Sequence, residues 1–241
     1  MLILSHKSMK INQKIAILAI ACIVFIVPSL VFSSHKDTIW VDEDADGKED
    51  GSSKHPYHKI EKAMDEADKG DEIHVRNGEY HENVKIKSGV KLIGSGKYST
   101  IIRAKNDNKP AVIMKNGSKI SDITVKNGYN GIEVEGDGKA TIEDCVIKRN
   151  RRDGIEIDKG DTSELKRVLI YKSVIKENGR AGIDSEKRRV DLSRNEIYEN
   201  KSDGVRLSSG VHAWFNNNLI RDNKGSALVA TLDFSNIWIK D

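Results

Sequence analysis

The chain is poor in the residues that stiffen or cross-link a fold. Its 241 residues include two cysteines, three prolines and 5% aromatic residues. Cys22 lies in an apolar N-terminal segment, so Cys145 has no partner for a disulfide within the remaining chain. The stability of the fold must therefore come from packing and hydrogen bonding.

Excess positive charge is also lacking once the N-terminus is set aside. Residues 1–34 contain Lys7, Lys10 and Lys14 and no acid, and the remaining 207 residues carry 37 basic and 37 acidic side chains. No basic stripe interleaved with aromatic residues is visible. The composition therefore gives no argument for nucleic-acid binding. No glycine-rich loop leads from a strand into a helix, so nucleotide binding is not expected either.

A long apolar run follows the three N-terminal lysines. The segment IAILAIACIVFIVPSLVF covers residues 15–32 without a charge. A cationic flank before such a run is typical of a signal peptide, or of a membrane anchor whose lysine side stays in the cytoplasm. Pro28 and the small-residue site at Val31 and Ser33 favour cleavage, whereas the length of the run favours an uncleaved anchor, which we prefer. Either alternative places residues 35–241 outside the cytoplasm.

The rest of the chain divides into an acidic loop and one folded domain. Residues 35–55 are acidic and begin with a short predicted strand at Thr38–Val41. The stretch PYHKIEKAMDEADKG predicts an amphipathic helix, with Pro56 in the first helical position and Gly70 at the C-terminal cap. Short strands separated by glycine-containing turns follow, so residues 56–241 are predicted to form a single domain.

A repeated pattern begins near residue 118. An asparagine is followed four residues later by glycine and an aliphatic residue, as in NRRDGIEID. The leading asparagines are Asn127, Asn150, Asn178, Asn200 and Asn223, at steps of 23, 28, 22 and 23 residues. A period of this length without helical spacing leaves leucine-rich repeats and a parallel β-helix as alternatives. The leucine-rich signature is absent, and a coil of three short strands fits the length.

Stacking of such coils would bring the repeated residues into columns. A buried asparagine in each turn can then bond to its own backbone and to the asparagine of the next coil. The positions five and three residues before the later asparagines form two further columns: Cys145, Ser173, Asn195 and Asn218, and Ile147, Ile175, Ile197 and Ile220. The unit at 118–127 is one residue shorter and departs from this register.

These segments resemble a known group of proteins. The stretch SSKHPYHKIEKAMDEADKGDEIHVRNGEYHENVKIKSGVKLIGSG is similar to the N-terminal capping region of exported right-handed parallel β-helix proteins of the pectin-lyase-like superfamily, and the Asn-x-x-x-Gly-Ile repeats resemble its coils. The resemblance covers about residues 38–232. It implies an all-β, single-stranded right-handed parallel β-helix with an N-terminal capping helix. The superfamily includes pectate lyases, polygalacturonases, alginate lyases, epimerases and many non-enzymatic surface proteins, so the resemblance predicts fold better than activity.

Charged residues alternate with aliphatic ones along the Gly-Ile-x-Ile strands. By the period of two, the aliphatic residues point inwards and the charged residues outwards. The predicted outward columns are Glu133, Glu156, Asp184 and Arg206, and beside them Glu135, Asp158, Glu186 and Ser208. Six carboxylates on one sheet face repel one another unless basic neighbours, raised pKa values or a divalent cation offset their charge.

Two interpretations of this acidic face remain open. In the first, the face binds an anionic polysaccharide through Ca²⁺, which prefers oxygen ligands. The candidate calcium ligands are Glu156, Asp158, Asp184 and Glu186, and the candidate substrate contacts are Glu133, Glu156, Asp184, Arg152 and Arg180. The resemblance to pectate lyases implies calcium-bridged uronates and an arginine base, for which Arg206 is the candidate. In the second interpretation the face is only solvated, as charged surfaces commonly are.

Two Asp-Gly pairs match a fragment of the polygalacturonase pattern. They are Asp153-Gly154 and Asp203-Gly204, but an adjacent Asp-Asp pair, Gly-His-Gly and Arg-Ile-Lys are all missing. The Asp-Pro-His signature of mannuronan epimerases is missing as well. We interpret both aspartates as turn residues, because Asp-Gly is a common turn pair.

The stretch DEDADGKED, residues 42–50, has the spacing of part of a calcium-binding loop. Asp42, Asp44 and Asp46 occupy its first, third and fifth positions. The twelfth position is Ser53 instead of an acid, and no helix precedes the loop. A calcium site and a solvated acidic linker therefore remain alternatives here.

The sequence thus predicts an exported or membrane-tethered β-helix protein that binds acidic polysaccharide, with Ca²⁺-dependent lyase-type activity left open. A non-catalytic cell-surface structural or adhesion module is the alternative. Tyr171 and Trp214 are either platforms for sugar stacking or packing residues. The seven histidines show no metal-ligand spacing, and Cys145 fits a small core position.

Overall fold

The chain folds into a solenoid of parallel strands. The computed structural model describes residues 37–231 and 236–240. Within these residues, each strand pairs in parallel with the equivalent strand one turn away. Three sheets result, one with nine strands and two with seven, which corresponds to about seven coils. The predicted parallel β-solenoid is therefore confirmed.

The three sheets form the sides of the solenoid. Sheet I consists of β1 (Thr38–Val41), β2 (Glu72–Val75), β5 (Lys91–Gly94), β8 (Lys119–Ser121), β11 (Ala140–Glu143), β14 (Val168–Tyr171), β17 (Arg189–Ser193), β20 (His212–Asn216) and β23 (Asn236–Lys240). Sheet II consists of β3 (Gly78–His81), β6 (Thr100–Arg103), β9 (Thr124–Lys126), β12 (Val146–Lys148), β15 (Val174–Lys176), β18 (Glu196–Tyr198) and β21 (Leu219–Arg221). Sheet III consists of β4 (Val84–Ile86), β7 (Val112–Met114), β10 (Ile132–Val134), β13 (Ile155–Ile157), β16 (Ile183–Glu186), β19 (Val205–Ser208) and β22 (Leu228–Ala230).

The helix α1 is shorter than the sequence predicts. It spans Ile60–Glu66, so Pro56 lies before its first turn and Gly70 lies beyond its end. Lys59 is still extended, at φ −122° and ψ 141°. The carboxylate of Glu82 accepts hydrogen bonds from the first two helical amides at 2.9 and 2.8 Å, which neutralises free donors of the first turn. The helix begins where this distant side chain meets it, and its apolar face packs against β1, β2 and β4.

Stacked aliphatic side chains fill the inside of the coils. In sheet II, Ile147, Ile175 and Ile197 lie in register and are fully buried, as predicted. In sheet III, Ile155 and Ile157 are buried while Glu156 between them is partly exposed. The predicted alternation of inward and outward residues is confirmed, and it explains why β-branched residues dominate these strands.

The repeated glycine of each coil is required by close packing. A Cβ atom on Gly154 would lie 2.6 Å from the carbonyl oxygen of Gly182 and 2.6 Å from a methyl carbon of Ile175. A Cβ atom on Gly182 would meet Gly204 and Ile197 of the following coil at the same distances. Since no side chain fits in this space, glycine recurs with the period of the coil.

A ladder of buried asparagines joins four successive coils. The side-chain amide of Asn150 donates to Asn178 Oδ1, that of Asn178 to Asn200 Oδ1, and that of Asn200 to Asn223 Oδ1, each at 2.9 Å. Each accepting oxygen also takes the backbone N–H of the preceding asparagine, at 3.1–3.2 Å. The predicted bonding between asparagines of neighbouring coils is confirmed at these four positions.

Asn127 is one of the recurrent asparagines but does not belong to this ladder, and the predicted departure of the unit at 118–127 from the register is confirmed. The strand register places Asn127 beside Arg149, and Gly128 beside Asn150. The N–H of Gly128 donates to Asn150 Oδ1 at 2.9 Å and ends the ladder. Asn127 and Arg149 both have positive φ, 62° and 57°. Asparagine tolerates this left-handed conformation well, which accounts for an asparagine in that place.

A second polar ladder lies at the tight turn between sheets I and II. The N–H of Cys145 donates to Ser173 Oγ at 3.2 Å, that of Ser173 to Asn195 Oδ1 at 3.0 Å, and that of Asn195 to Asn218 Oδ1 at 3.1 Å. The predicted column of these four residues is therefore confirmed. Cys145 is fully buried, and burial raises the pKa of its thiol to about 12, which fits a core role.

A third polar position precedes the repeated glycine. Asp153 Oδ1 accepts the N–H of Ala181 at 2.9 Å, and Asp203 Oδ1 accepts that of Ser226 at 3.0 Å. Asn130 Oδ1 accepts the N–H of Asp153 in the same way, at 3.2 Å. Each side chain thus fastens one turn to the next coil, in agreement with the interpretation of Asp153 and Asp203 as turn residues.

The two aspartates differ in charge environment. Asp153 is fully buried, and burial raises its pKa to about 6, against the hydrogen bond from Ala181. Asp203 is partly exposed; burial tends to raise its pKa, but hydrogen bonds from Arg206 and Ser226 outweigh burial and lower it. Ionisation of Asp153 therefore opposes folding, whereas ionisation of Asp203 favours it.

The predicted signal peptide or membrane anchor at residues 1–34, including Cys22, lies outside the described residues. Within residues 37–231 and 236–240, no helix is long and apolar enough to span a membrane. The acidic loop begins with β1, which matches the predicted strand at Thr38–Val41. The strand β3 was not predicted from the sequence, because Gly78 and the polar residues around Tyr80 do not form the aliphatic pattern of a strand.

We predict that Asn178→Ala lowers the free energy of unfolding by about 3 kcal/mol, because it leaves buried donors of Asn150 without an acceptor. Equilibrium denaturation in urea measures the loss. Asn223→Ala is the matched control: Asn223 ends the ladder and is partly exposed, so water can replace it as the acceptor for Asn200 and its loss should cost about 1 kcal/mol. Equal losses at the two positions would contradict the importance of burial in the ladder.

We predict opposite pH dependences for Asp153→Asn and Asp203→Asn. The folded-state pKa of Asp153 is raised from 3.8 to about 6, so wild-type stability falls as pH rises between these values. Between about pH 4 and pH 7, Asp153→Asn should gain up to about 3 kcal/mol relative to wild type. Asp203→Asn should instead lose stability relative to wild type as pH rises, because the pKa of Asp203 is lowered. Unfolding curves at several pH values test both signs, and parallel curves would contradict them.

Candidate functional site

The strand register assembles the predicted acidic columns on sheet III. Glu133 pairs with Glu156, Glu156 with Asp184, and Asp184 with Arg206 on neighbouring strands. In the second column, Glu186 pairs with Ser208, and Asp158 follows directly after β13. The sequence therefore placed these side chains correctly on one face.

A shallow groove of about 620 Å³ runs over this face. Its lining residues are Gly136, Glu156, Ile157, Asp158, Lys159, Asp184, Glu186, Arg206 and Ser208. Four carboxylates thus share the groove with two basic residues, Lys159 and Arg206. The groove collects all four candidate calcium ligands of sheet III, while Glu133, Arg152 and Arg180 do not line it.

Three carboxylates of this face, Glu133, Asp158 and Asp184, have raised pKa values. Burial raises the pKa of Glu133, and the charges of Glu156 and Asp158 add to the shift. Burial also raises the pKa of Asp158, with a further contribution from Glu135. For Asp184 burial again raises the pKa, although Arg206 opposes it. Negative charge is therefore only partly compensated along the groove.

Three of the neighbouring carboxylates have partners within the fold. Glu135 forms an ion pair with Lys115, and Glu156 accepts a hydrogen bond from the side chain of Asn130. Asp184 lies 3.5 Å from Arg206. Asp158 and Glu186 have no ion pair with the basic residues of the described chain, so they are the carboxylates most available to a ligand.

Arg206 is held between two aspartates at the end of its column. Its Nη2 atom lies 2.7 Å from Asp203 Oδ2, and its Nη1 atom lies 3.5 Å from Asp184 Oδ2. The hydrogen bond to Asp203 is the main cause of a raised pKa of the guanidinium. A base must lose its proton at the working pH, so this environment opposes the predicted role of Arg206 as base and favours a role in binding anions.

Arg152 and Arg180 instead brace the turn that contains Asp153. Arg180 Nη1 lies 3.3 Å from Asp153 Oδ2, and Arg152 Nη2 lies 3.8 Å from the same oxygen. The guanidinium of Arg152 also stacks 5.3 Å from the ring centre of Tyr129. Arg180 Nη2 also lies 3.9 Å from Asp184 Oδ2 at the edge of the groove. The predicted role of Arg152 and Arg180 as substrate contacts stays a prediction.

A buried arginine that the sequence analysis missed lies behind the groove. Arg188 is fully buried, and its guanidinium donates to the backbone carbonyls of Gly136, Gly138 and Asp158. Burial lowers its pKa, while nearby aspartates, Asp158 among them, raise it. Arg188 therefore fixes two backbone segments that border the groove and supplies positive charge from inside. Its position within a charged run, EKRRVD, gives no sign of burial.

The acidic loop at 42–50 does not gather its aspartates around one point. Asp42 Oδ2 lies 2.7 Å from Arg76 Nη1, and Asp42 Oδ1 accepts the N–H of Asp44 at 3.2 Å. The first carboxylate of the predicted calcium loop is thus already neutralised. Among the described residues, no group of three or more His, Cys, Asp or Glu side chains is arranged to hold a metal ion. Calcium binding at Asp42, Asp44 and Asp46 stays a prediction.

The two candidate stacking platforms have neighbours of their own. Trp214 stacks on Trp238 with ring centres 3.8 Å apart, and the Arg189 guanidinium lies 4.3 Å from its ring centre. These contacts favour the packing interpretation of Trp214. Tyr171 has Lys172 at 5.7 Å, and burial together with a hydrogen bond to Glu143 raises its pKa to about 12.

Sheet II carries a column of basic residues that the sequence analysis did not identify. The last residues of successive strands lie in register; they are Arg103, Lys126, Lys148, Lys176, Tyr198 and Arg221. We call these residues the basic column. Lys148, Lys176, Tyr198 and Arg221 each stand two places before a ladder asparagine, but the six members lie 22 to 28 residues apart in the sequence.

Comparison with known proteins identifies the fold family. No curated protein is significantly similar in sequence to the chain. Among solved structures, a pectin methylesterase from carrot has a TM-score of 0.43 and 15% identity, covering 84% of this chain and 88% of the other. A mannuronan C-5 epimerase A-module from Azotobacter vinelandii has a TM-score of 0.36 and 16% identity, covering 76% and 78%. At such identities the similarity concerns the fold alone, and TM-scores this low carry no functional argument.

The sequence itself supplies the stronger assignment. Residues 110–240 match the family described as the right-handed beta helix region, which covers more than half of the chain. The match includes the asparagine ladder, the repeated glycines and the sheet III columns. It agrees with the resemblance to the pectin-lyase-like superfamily and supplies the hand of the solenoid. The chain therefore belongs to the right-handed β-helix family.

Proposed function

We propose that the protein binds an anionic polysaccharide along the groove of sheet III, with Ca²⁺ bridging protein and polymer. One observation carries this proposal: two columns of carboxylates face one groove in register, with little basic compensation. A polymer that lies along the solenoid axis meets an equivalent position at each coil, about every 4.8 Å. Repeating sugars suit such a repeating surface.

The groove supplies only some of the ligands that a calcium ion needs, so it suits calcium shared with a polymer better than a complete calcium site of the protein. Ca²⁺ takes about six to eight oxygen ligands. Asp158 and Glu186, from adjacent coils, supply only part of this shell, and no complete group exists among the described residues. Uronate carboxylates and water would supply the rest, so calcium and polymer would bind together.

The other charged residues of the face have supporting roles in this proposal. Arg206 stays protonated and contacts carboxylates of the polymer at the edge of the groove. Glu156 and Asp184 accept hydrogen bonds from sugar hydroxyls or complete the calcium shell. The raised pKa values of Glu133, Asp158 and Asp184 indicate that their negative charge is unfavourable in the free protein, and a bound cation would stabilise it.

A non-catalytic surface or adhesion module is the second candidate, and the shape of the groove favours it over an enzyme. Two turns extend a coil beyond the basic length, one between β6 and β7 and one between β13 and β14, but the groove stays shallow and open. Enzymes usually exclude water from the reacting bond. Lyase-type activity is therefore the less favoured part of the proposal.

Two features at the N-terminal end complete the proposal. Residues 1–34 would export the domain or tether it to a membrane, as their charge and hydrophobicity indicate. The helix α1 would cap the first coil, since its apolar face is buried against β1, β2 and β4. A cap protects the core and the strand edges at the end of a solenoid.

We predict calcium-dependent binding of the full-length protein to polygalacturonate or alginate. Titration calorimetry should detect binding with CaCl₂ and none at this groove with EDTA. The double variant Asp158→Asn/Glu186→Gln should weaken it at least about tenfold, because fewer charged ligands remain for calcium. The double variant Glu61→Gln/Asp65→Asn, on the exposed side of α1, has the same charge change and should bind as wild type. Unchanged binding by the groove variant would refute the site.

We predict little or no lyase activity on the same polymers. The absorbance of unsaturated uronate ends reports cleavage directly, with and without calcium. A flat trace together with calcium-dependent binding would favour the binding module. A calcium-dependent rise that disappears in Arg206→Lys as well as in Arg206→Ala would contradict this expectation and assign a catalytic role to the guanidinium.

A further inference from the structure

We propose that sheet II carries a second site, which binds a polyanionic glycan without a metal. It is formed by the basic column and by the turn residues beside it. This site has the opposite charge to the groove of sheet III and lies on a different sheet, so it goes beyond the function proposed above. It also holds independently of calcium.

The register of sheet II fixes the spacing of the cationic groups. Lys126, Lys148 and Lys176 are directly paired on β9, β12 and β15. Their ammonium groups extend from backbone positions about 4.8 Å apart, a distance comparable with the length of one sugar ring in an extended chain. The middle residue of each of these strands faces the core, so the third residue must face solvent. A linear anion with one negative group per sugar matches this arrangement.

Of the three central lysines, Lys126 and Lys176 form ion pairs with acidic neighbours in the described part of the chain, whereas Lys148 between them does not. Glu79 lies 3.3 Å from Arg103 and 3.1 Å from Lys126. Glu177 lies 2.8 Å from Lys176. Lys148 has no carboxylate partner among the described residues. The centre of the column is therefore a cation without an anion.

Lys148 is destabilised by its surroundings in the absence of a ligand. Burial is the main cause of its lowered pKa, and the charges of Arg149, Lys176 and Lys126 contribute further. A carboxylate or sulfate group bound next to Lys148 would offset the repulsion between these positive charges.

Lys148 lines a groove of about 300 Å³. Lys172 and Arg194 line it from the tight turns, where positive φ values of 54° and 55° hold the chain. Neither has an ion pair within the described part of the chain. Tyr98 and Tyr198 line the same groove, and Tyr98 is 74% exposed. Tyr198 is partly buried and its ring contacts Lys176 and Arg221, so Tyr98 is the ring available for stacking. Cations beside an exposed aromatic ring suit an anionic sugar, whose ring stacks while its charged group pairs.

The acids within this groove favour a glycan over a nucleic acid. Glu196 lines the groove, and Glu177 flanks Lys176. The hydroxyl groups of a sugar can donate hydrogen bonds to these carboxylates, whereas the phosphodiester groups of a nucleic-acid backbone have no donor to offer them. The partial neutralisation also keeps the net charge of the site moderate, unlike the basic surfaces that bind nucleic acids.

The test is affinity of the full-length protein for heparin, a sulfated glycan, measured in EDTA by calorimetry and by salt elution from a heparin column. We expect binding in EDTA, and Lys148→Glu should weaken it at least about tenfold, because it reverses the central charge. Lys148→Arg should retain it. Lys85→Glu, an exposed charge reversal on sheet III, is the matched control and should elute as wild type. Tyr98→Ala should weaken binding while leaving its salt dependence unchanged.

The outcomes separate this site from the groove of sheet III. Asp158→Asn/Glu186→Gln should leave heparin binding in EDTA unchanged, so that failure of the calcium proposal would not affect this result. Absence of heparin binding in EDTA, or equal weakening by Lys148→Glu and Lys85→Glu, would overturn the proposal. Tighter binding of a single-stranded oligonucleotide or of anionic phospholipid vesicles, measured under the same conditions, would also overturn it.

Discussion

The hydrogen bond from one buried asparagine to the next is the constraint on which the other features depend. It fixes each coil at a set height and rotation relative to its neighbours, since Oδ1 of one residue accepts both the side-chain amide and the backbone N–H of another. A slip by one residue would leave these buried groups without partners, at a cost of about 1–3 kcal/mol each. The repeated glycine enforces the same register by contact, because its Cα faces the backbone of the next coil.

Register of this kind turns a short repeat into long surfaces. One outward position per coil becomes a column about 4.8 Å apart along the axis. On sheet III the column is acidic, with Glu156 and Asp184 in direct pairing. On sheet II it is basic, with Lys148 and Lys176 in direct pairing. The turn with the buried asparagine separates the two, so opposite charges occupy neighbouring sides of one solenoid.

Columns of like charge are costly, and the chain treats them in different ways. Some charges are offset locally, as Glu79 forms ion pairs with Arg103 and Lys126. Arg188 acts on Asp158 from inside but offsets its charge only in part, since the pKa of Asp158 remains raised. What remains is concentrated at Asp158 and Glu186 on one side and at Lys148 on the other. A surface that serves only solubility does not require unpaired like charges close together. The unpaired charges are therefore the places where we propose that ligands bind.

The sequence by itself determined the solenoid, the buried ladder from Asn150 to Asn223, the isoleucine stack and the acidic face, because each follows from a local period. The tertiary structure decided the rest. It alone showed that Asn127 stands beside Arg149, that Glu82 begins the helix α1, and that Trp214 stacks on Trp238. It also revealed the basic column, the burial of Asp153 and the buried Arg188. In all these cases the deciding neighbour lies one or more coils away. Its identity depends on the length of the intervening turns, which the local pattern of residues does not encode.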